Sequence, residues 1–89
     1  MYWVVETMHF TCEFWGPLER RAGTPSRDFE VKSPAPTIAD ALLAVAAALP
    51  DVADALDRAA VACGERLLHR REPLEAGMRL ALLPPVAGG

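Results

Sequence analysis

Between Pro36 and Pro50 the chain carries its main helical pattern, and the segments on either side alternate with period two. Thr37 stands where a helix N-cap belongs, with Asp40 at the acidic position of a capping box. Ile38, Ala41, Leu42, Val45 and Leu49 share one face at helical spacing. Pro50 closes the run, because the residue before a proline avoids the α region. Val52 and Leu56, four apart, predict a second short helix over Asp51 to Leu56.

The strands are legible around that helix. Met8, Phe10, Cys12 and Phe14 alternate with His9, Thr11, Glu13 and Trp15, which predicts a half-buried first strand. Gly16-Pro17 ends it, and Pro17 opens a helical turn over Leu18 to Ala22. A polar loop, Gly23-Thr24-Pro25-Ser26, leads to a second strand, Asp28 to Lys32. The prolines of Ser33-Pro34-Ala35-Pro36 lack donors and bar continuation of the sheet. Ala59 to Cys63 and Arg66 to His69 flank Gly64-Glu65, a compact hairpin signal. Glu72-Pro73-Leu74 and Glu75-Ala76-Gly77 read as turns. Arg79 to Leu83 is the last strand. There is no internal repeat and no low-complexity linker.

At 89 residues the chain is one domain, near the small end of what folds alone. Residues 1–7 form an N-terminal extension and residues 84–89 a tail. Ala41 to Pro50, the longest uncharged apolar stretch, is too short to span a bilayer. Met1 to Glu6 lack the basic and apolar regions of a secretory signal. Cys12 and Cys63 make neither a disulfide framework nor a zinc spacing, so a reduced, cytoplasmic protein is the simplest reading. A net charge of −3 argues against nucleic acid. The pairs Arg20-Arg21 and Arg70-Arg71 each have Glu nearby and read as solvated faces.

The chain ends Pro84-Pro85-Val86-Ala87-Gly88-Gly89. Two prolines hold the start of this tail extended. Pro84 to Gly89 could reach roughly 20 Å at about 3.3 Å per residue. Two glycines without Cβ atoms could thread a channel closed to any side chain. The tail is a stiff arm with a slim tip bearing a carboxylate.

Three stretches carry a resemblance: Phe14-Trp15-Gly16-Pro17-Leu18-Glu19-Arg20-Arg21-Ala22-Gly23, Cys63-Gly64-Glu65-Arg66-Leu67-Leu68, and Pro73-Leu74-Glu75-Ala76-Gly77-Met78 with Leu82 to Gly89. With them the chain resembles the small subunit of molybdopterin synthase, a ubiquitin-like sulfur carrier. Arg20 stands where that family often has an acidic residue, and Leu82-Leu83 where it often has aromatics. The resemblance implies an α+β fold of the β-grasp kind, with a mixed sheet of about five strands on one main helix. The first and last strands would lie parallel at the sheet centre. It also implies that an ATP-using enzyme of the ubiquitin-activating type adenylates Gly89, and that a sulfur donor then converts it to a thiocarboxylate. The tail would enter the large subunit of a heterotetrameric synthase and give sulfur to cyclic pyranopterin monophosphate. Gly89, with Gly88 beside it, carries that chemistry; the chain itself binds no cofactor.

Alternation also places a docking face. If Leu80 and Leu82 point at the helix, Arg79, Ala81 and Leu83 point away. Phe14 then faces the core and Trp15 faces out; Leu68 faces in and Leu67 out. Trp15, Leu67 and Leu83 would form an apolar patch near Pro84, Pro85, Val86 and Ala87, fit to bind a partner. An alternative is that Trp15 tucks against the apolar N-terminal extension. Side-chain catalysis has little support. His9 and His69 lack metal-like companions, Cys12 and Cys63 read as inert strand thiols, and Asp51, Asp54 and Asp57 read as a solvated helix edge. Three rival functions keep the same fold: a sulfur carrier for cysteine, thiamine or tRNA thiolation, a modifier joined through Gly89 to a target lysine, or an interaction domain with an inert tail.

Overall fold

The computed structural model describes residues 7–85. In chain order they form β1 (Thr7–Phe14), α1 (Pro17–Ala22), β2 (Ser26–Lys32), α2 (Ile38–Ala48), α3 (Pro50–Leu56), β3 (Ala60–Cys63), β4 (Arg66–Leu68) and β5 (Arg79–Leu83). The five strands make one mixed sheet in the order β2-β1-β5-β3-β4. β1 and β5 run parallel, with Cys12 opposite Leu80 and Phe14 opposite Leu82. All other pairings are antiparallel. This is the β-grasp expected from the resemblance, with the parallel pair among the inner strands.

The core is the side of the sheet that alternation assigned to it. Phe10, Cys12, Phe14, Leu80 and Leu82 are buried on the inner strands, and Val61 and Leu68 continue the layer across the hairpin. Against them lie Ile38, Ala41, Leu42 and Val45 of α2, and Val52 and Leu56 of α3. Phe29 of β2 stacks on Phe10 with ring centroids 5.6 Å apart.

Local chemistry fixes the ends of these elements. The Thr37 hydroxyl accepts from the Asp40 N–H at 3.3 Å, and the Asp40 carboxylate accepts from the Thr37 N–H at 2.8 Å. The predicted capping box is thus complete. Pro50 opens α3 at its first turn as well as closing α2. The turn before β5 closes through the Met78 N–H and the Glu75 carbonyl, with Gly77 at φ +78°.

Several details differ from expectation. β2 begins at Ser26 because Ser26 and Arg27 pair with Glu13 and Cys12, and this ladder outweighs the loop signal of Thr24-Pro25. β1 ends at Phe14 because Gly16 turns the chain immediately beyond Trp15. Arg70 is also not a free surface cation. Its guanidinium donates to the carbonyls of Leu56 and Ala59 at 2.6 and 3.1 Å, adding to the Ala59 N–H that already donates to the Leu56 carbonyl at 3.3 Å, and so braces the chain just past α3.

Candidate functional site

The root of the tail is held from two sides. The Trp15 N–H donates to the Leu82 carbonyl at 3.2 Å, which ties the end of β1 to the end of β5. The Leu18 N–H donates to the Trp15 carbonyl at 3.2 Å, closing a tight turn with Gly16 at its first central position. Gly16 has φ 58° and ψ −135°. That region excludes side chains, and a Cβ there would lie 3.3 Å from Pro84 Cγ. Pro84 therefore leaves the sheet across a glycine that makes room for it. Pro84 and Pro85 border a cavity of about 500 Å³ with Leu18 and Arg21 of α1, Asp54 of α3, and Arg58. Pro84 is half-buried and Pro85 exposed. Val86, Ala87, Gly88 and Gly89 lie outside the described residues.

On the face of the sheet away from the helices, Trp15 is 53% exposed and Leu67 is 66% exposed. Leu83 is half-buried, level with Ala60 of β3. Leu67 pairs with Ala62, which pairs with Ala81, two residues before Leu83. An apolar strip thus runs from Leu83 through Ala60, Ala62 and Ala81 to Leu67. Ala62 is buried yet stands outside the core cluster, so it belongs to this strip. The period-two pattern of β3 held that information; the size of Ala masked it.

Trp15 approaches the strip from the β1 side. Its indole Nε1 donates to Glu13 Oε1 at 3.4 Å, and Glu13 is also paired with Arg79 Nε. This polar pair borders the apolar strip, and spacing along the chain gave no sign of it. Whether Trp15 meets the residues before Thr7 falls outside the described residues. Leu43, at 68% exposure, is a large apolar side chain on the opposite, helical face.

The remaining chemistry-bearing groups are not gathered. Burial, with a smaller effect from Glu13, pushes the Cys12 thiol up to about 12, so it stays protonated and unreactive at neutral pH. Cys63 is half-buried beside the hairpin turn. His9 faces Glu30 at 3.9 Å on the exposed β1–β2 ladder. Among the described residues no group of His, Cys, Asp and Glu is arranged to hold a metal ion. None of the described helices is long and apolar enough to cross a membrane.

Comparison with known proteins agrees with this geometry. Small archaeal modifier protein 1 of Haloferax volcanii superposes with a TM-score of 0.81 at 26% identity, covering 89% of this chain and 99% of that one. A putative molybdopterin converting factor subunit 1 of Pyrococcus furiosus gives 0.78 at 15% identity, covering 89% and 99%, and speaks to the fold alone. A chain from the complex of subunits 1 and 2 of molybdopterin-converting factor from Helicobacter pylori gives 0.55 at 27% identity, covering 92% and 100%. No curated protein matches the chain. The ThiS family model matches residues 13–89, from the end of β1 to the terminal Gly-Gly, and the chain belongs to the ThiS family.

Proposed function

We propose that this chain is the sulfur-carrier small subunit of molybdopterin synthase, with Gly89 as the sulfur-bearing residue. The observation that carries the reading is the tail root. A family match that runs through Gly89 joins a proline-stiffened arm, anchored at Gly16 and Leu82, beside an exposed apolar strip. The likeness to a chain from a complex of subunits 1 and 2 of molybdopterin-converting factor is the support for this pathway.

The chemistry follows from the terminus. A free carboxylate is a poor acyl donor because oxide is a poor leaving group. An activating enzyme transfers AMP from ATP to the Gly89 carboxylate, and pyrophosphate leaves. Sulfur from a donor then attacks the acyl carbon, and the C–O bond to AMP breaks. The resulting thiocarboxylate is a soft nucleophile. Glycine puts no bulk beside the acyl carbon, so transfer can proceed within a narrow channel. The strip of Leu83, Ala60, Ala62 and Leu67, with Trp15 beside it, meets the large subunit. Pro84, Pro85, Val86 and Ala87 carry Gly88 and Gly89 into its pocket. The setting is cytoplasmic.

A second reading has its own support: the likeness to a small archaeal modifier protein favours attachment of Gly89 to a lysine of a target protein. Intact mass of chain isolated from its own cells separates the two. A gain of about 16 Da, oxygen replaced by sulfur, together with co-purification of a large synthase subunit, is expected for the carrier. An isopeptide ladder that vanishes when Gly89 is deleted, with no mass gain, would replace it with the modifier.

A further inference from the structure

The chain has eight arginines and a single lysine, Lys32. Where the cations fall matters for an activated terminus. Arg21 and Arg58 border the same cavity as Pro84 and Pro85, at the base of the tail. Lys32 is the last residue of β2 and pairs with Thr7, at the start of β1. The tail root sits against Gly16, beyond the other end of that strand. At about 3.3 Å per residue, Thr7 and Gly16 are about 30 Å apart. Pro85 to Gly89 can extend at most about 17 Å. A lysine side chain adds roughly 6 Å to that reach (bond lengths as in), so the Gly89 carbonyl cannot meet Lys32 of its own chain.

An acyl-adenylate or thioester at Gly89 is open to any amine. The nitrogen attacks the acyl carbon, the C–O or C–S bond breaks, the AMP or thiol leaves with the electron pair, and the amine proton passes to solvent. A lysine has an unprotonated fraction at mildly basic pH. A guanidinium has essentially none, and its lone pairs are delocalised. Positive charge beside the tail is therefore supplied only in a form that does not attack it.

We propose that Arg21 and Arg58 keep the tail root free of amines, so that an activated Gly89 is not captured by its own body. Amide self-linkage through a side chain then occurs only between copies and only at Lys32. This rests on the reading that Gly89 is activated. The test installs activation chemically, so a failure here would leave the pathway reading untouched.

The full chain, with its α-amine blocked and a C-terminal thioester at Gly89, is incubated at about 10 μM and mildly basic pH beside Arg21→Lys, Arg58→Lys and Lys32→Arg. Intact mass and peptide mapping are read over time. The two lysine-gain variants are expected to lose thiol and form an internal amide at the new lysine, at a rate independent of protein concentration. For an effective concentration of about 1 mM this is roughly 100-fold faster than linkage between copies at 10 μM. The natural sequence is expected to form only a slow, concentration-dependent dimer linked at Lys32, absent from Lys32→Arg. Internal amide at Lys32, an amide-linked dimer that survives Lys32→Arg, or no internal amide in either lysine-gain variant would overturn the proposal.

Discussion

Gly16→Ala tests how the tail is held. At φ 58° and ψ −135°, Gly16 occupies a backbone region that costs a side-chain-bearing residue about 1–3 kcal/mol. The new methyl would also meet Pro84 Cγ at 3.3 Å, closer than ordinary van der Waals contact, so Pro84 or the turn must shift by a few tenths of an ångström. Together these should cost about 2–3 kcal/mol, near the upper end of that range. A domain of this size loses about 4–8 °C of Tm per kcal/mol, so a fall of roughly 10–20 °C is expected in thermal unfolding followed by circular dichroism. Gly23→Ala is the control. Gly23 also has positive φ, at 79°, but nothing lies within 4 Å of its missing Cβ, so its loss should be about 1 kcal/mol. Combining Gly16→Ala with Pro84→Ala should recover at least about 0.5 kcal/mol if the contact is real. A Gly16→Ala protein melting within about 3 °C of the natural sequence would refute the strained turn and, with it, the claim that Gly16 shapes the exit of the tail.

Adjacent residues of β5 should behave oppositely. Leu82→Ala, at a fully buried site, should cost about 2–5 kcal/mol in urea unfolding, whereas Leu83→Asp should keep the circular dichroism of the fold and weaken large-subunit binding at least about tenfold; loss of fold with Leu83→Asp would place Leu83 in the core. Arg70→Ala should cost about 1.5–3 kcal/mol by removing the charged hydrogen bonds to the Leu56 and Ala59 carbonyls, read from urea midpoints; an unchanged midpoint would deny that Arg70 braces the end of α3. Glu72 accepts from the His69 N–H and from Arg66, which together hold its carboxyl below the ordinary 4.5. Its stabilising contribution is therefore complete above that value and is lost as pH falls through the lowered one, so the stability gap to Glu72→Gln should close in unfolding series run from neutral to acid pH.

What the sequence makes visible here is what local periodicity encodes. Thr37, Asp40 and the stripe from Ile38 to Val45 define α2, because caps and helical faces are decided within a few residues. The inward sets of β1 and β5 are legible for the same reason. Pairings between distant segments are different. The parallel contact of β1 with β5 joins residues more than sixty positions apart in sequence, as in Thr11 with Arg79, and only the resemblance supplied it. The role of Arg70 depends on where α3 ends relative to a loop that follows two strands later, and its flanking glutamate pointed to the surface instead. In the candidate site, alternation gave the sides on which Trp15, Leu67 and Leu83 lie. It could not give the partial burial of Leu83, which comes from β3 lying alongside, or the Glu13–Arg79 pair beside it.

The same strand makes the body stable and presents the tail. The inward side chains of β5, Leu80 and Leu82, are fully buried, so the position of the last residues before Pro84 is fixed by the core itself. Of the outward side chains, Ala81 and Leu83 form part of the apolar strip and Arg79 borders it, and the Leu82 carbonyl is tied to the end of β1 through the Trp15 N–H. A partner that grips the strip is therefore in rigid register with the point from which the arm departs. On the carrier reading, docking and delivery are coupled through this one short segment. On that reading, rigidity at the root also lowers the entropy lost on threading the arm, because fewer backbone angles remain to be fixed on binding. A longer or glycine-rich connection between Leu83 and Val86 would loosen that register while leaving the proposed chemistry at Gly89 unchanged; on the carrier reading, two consecutive prolines are what hold it.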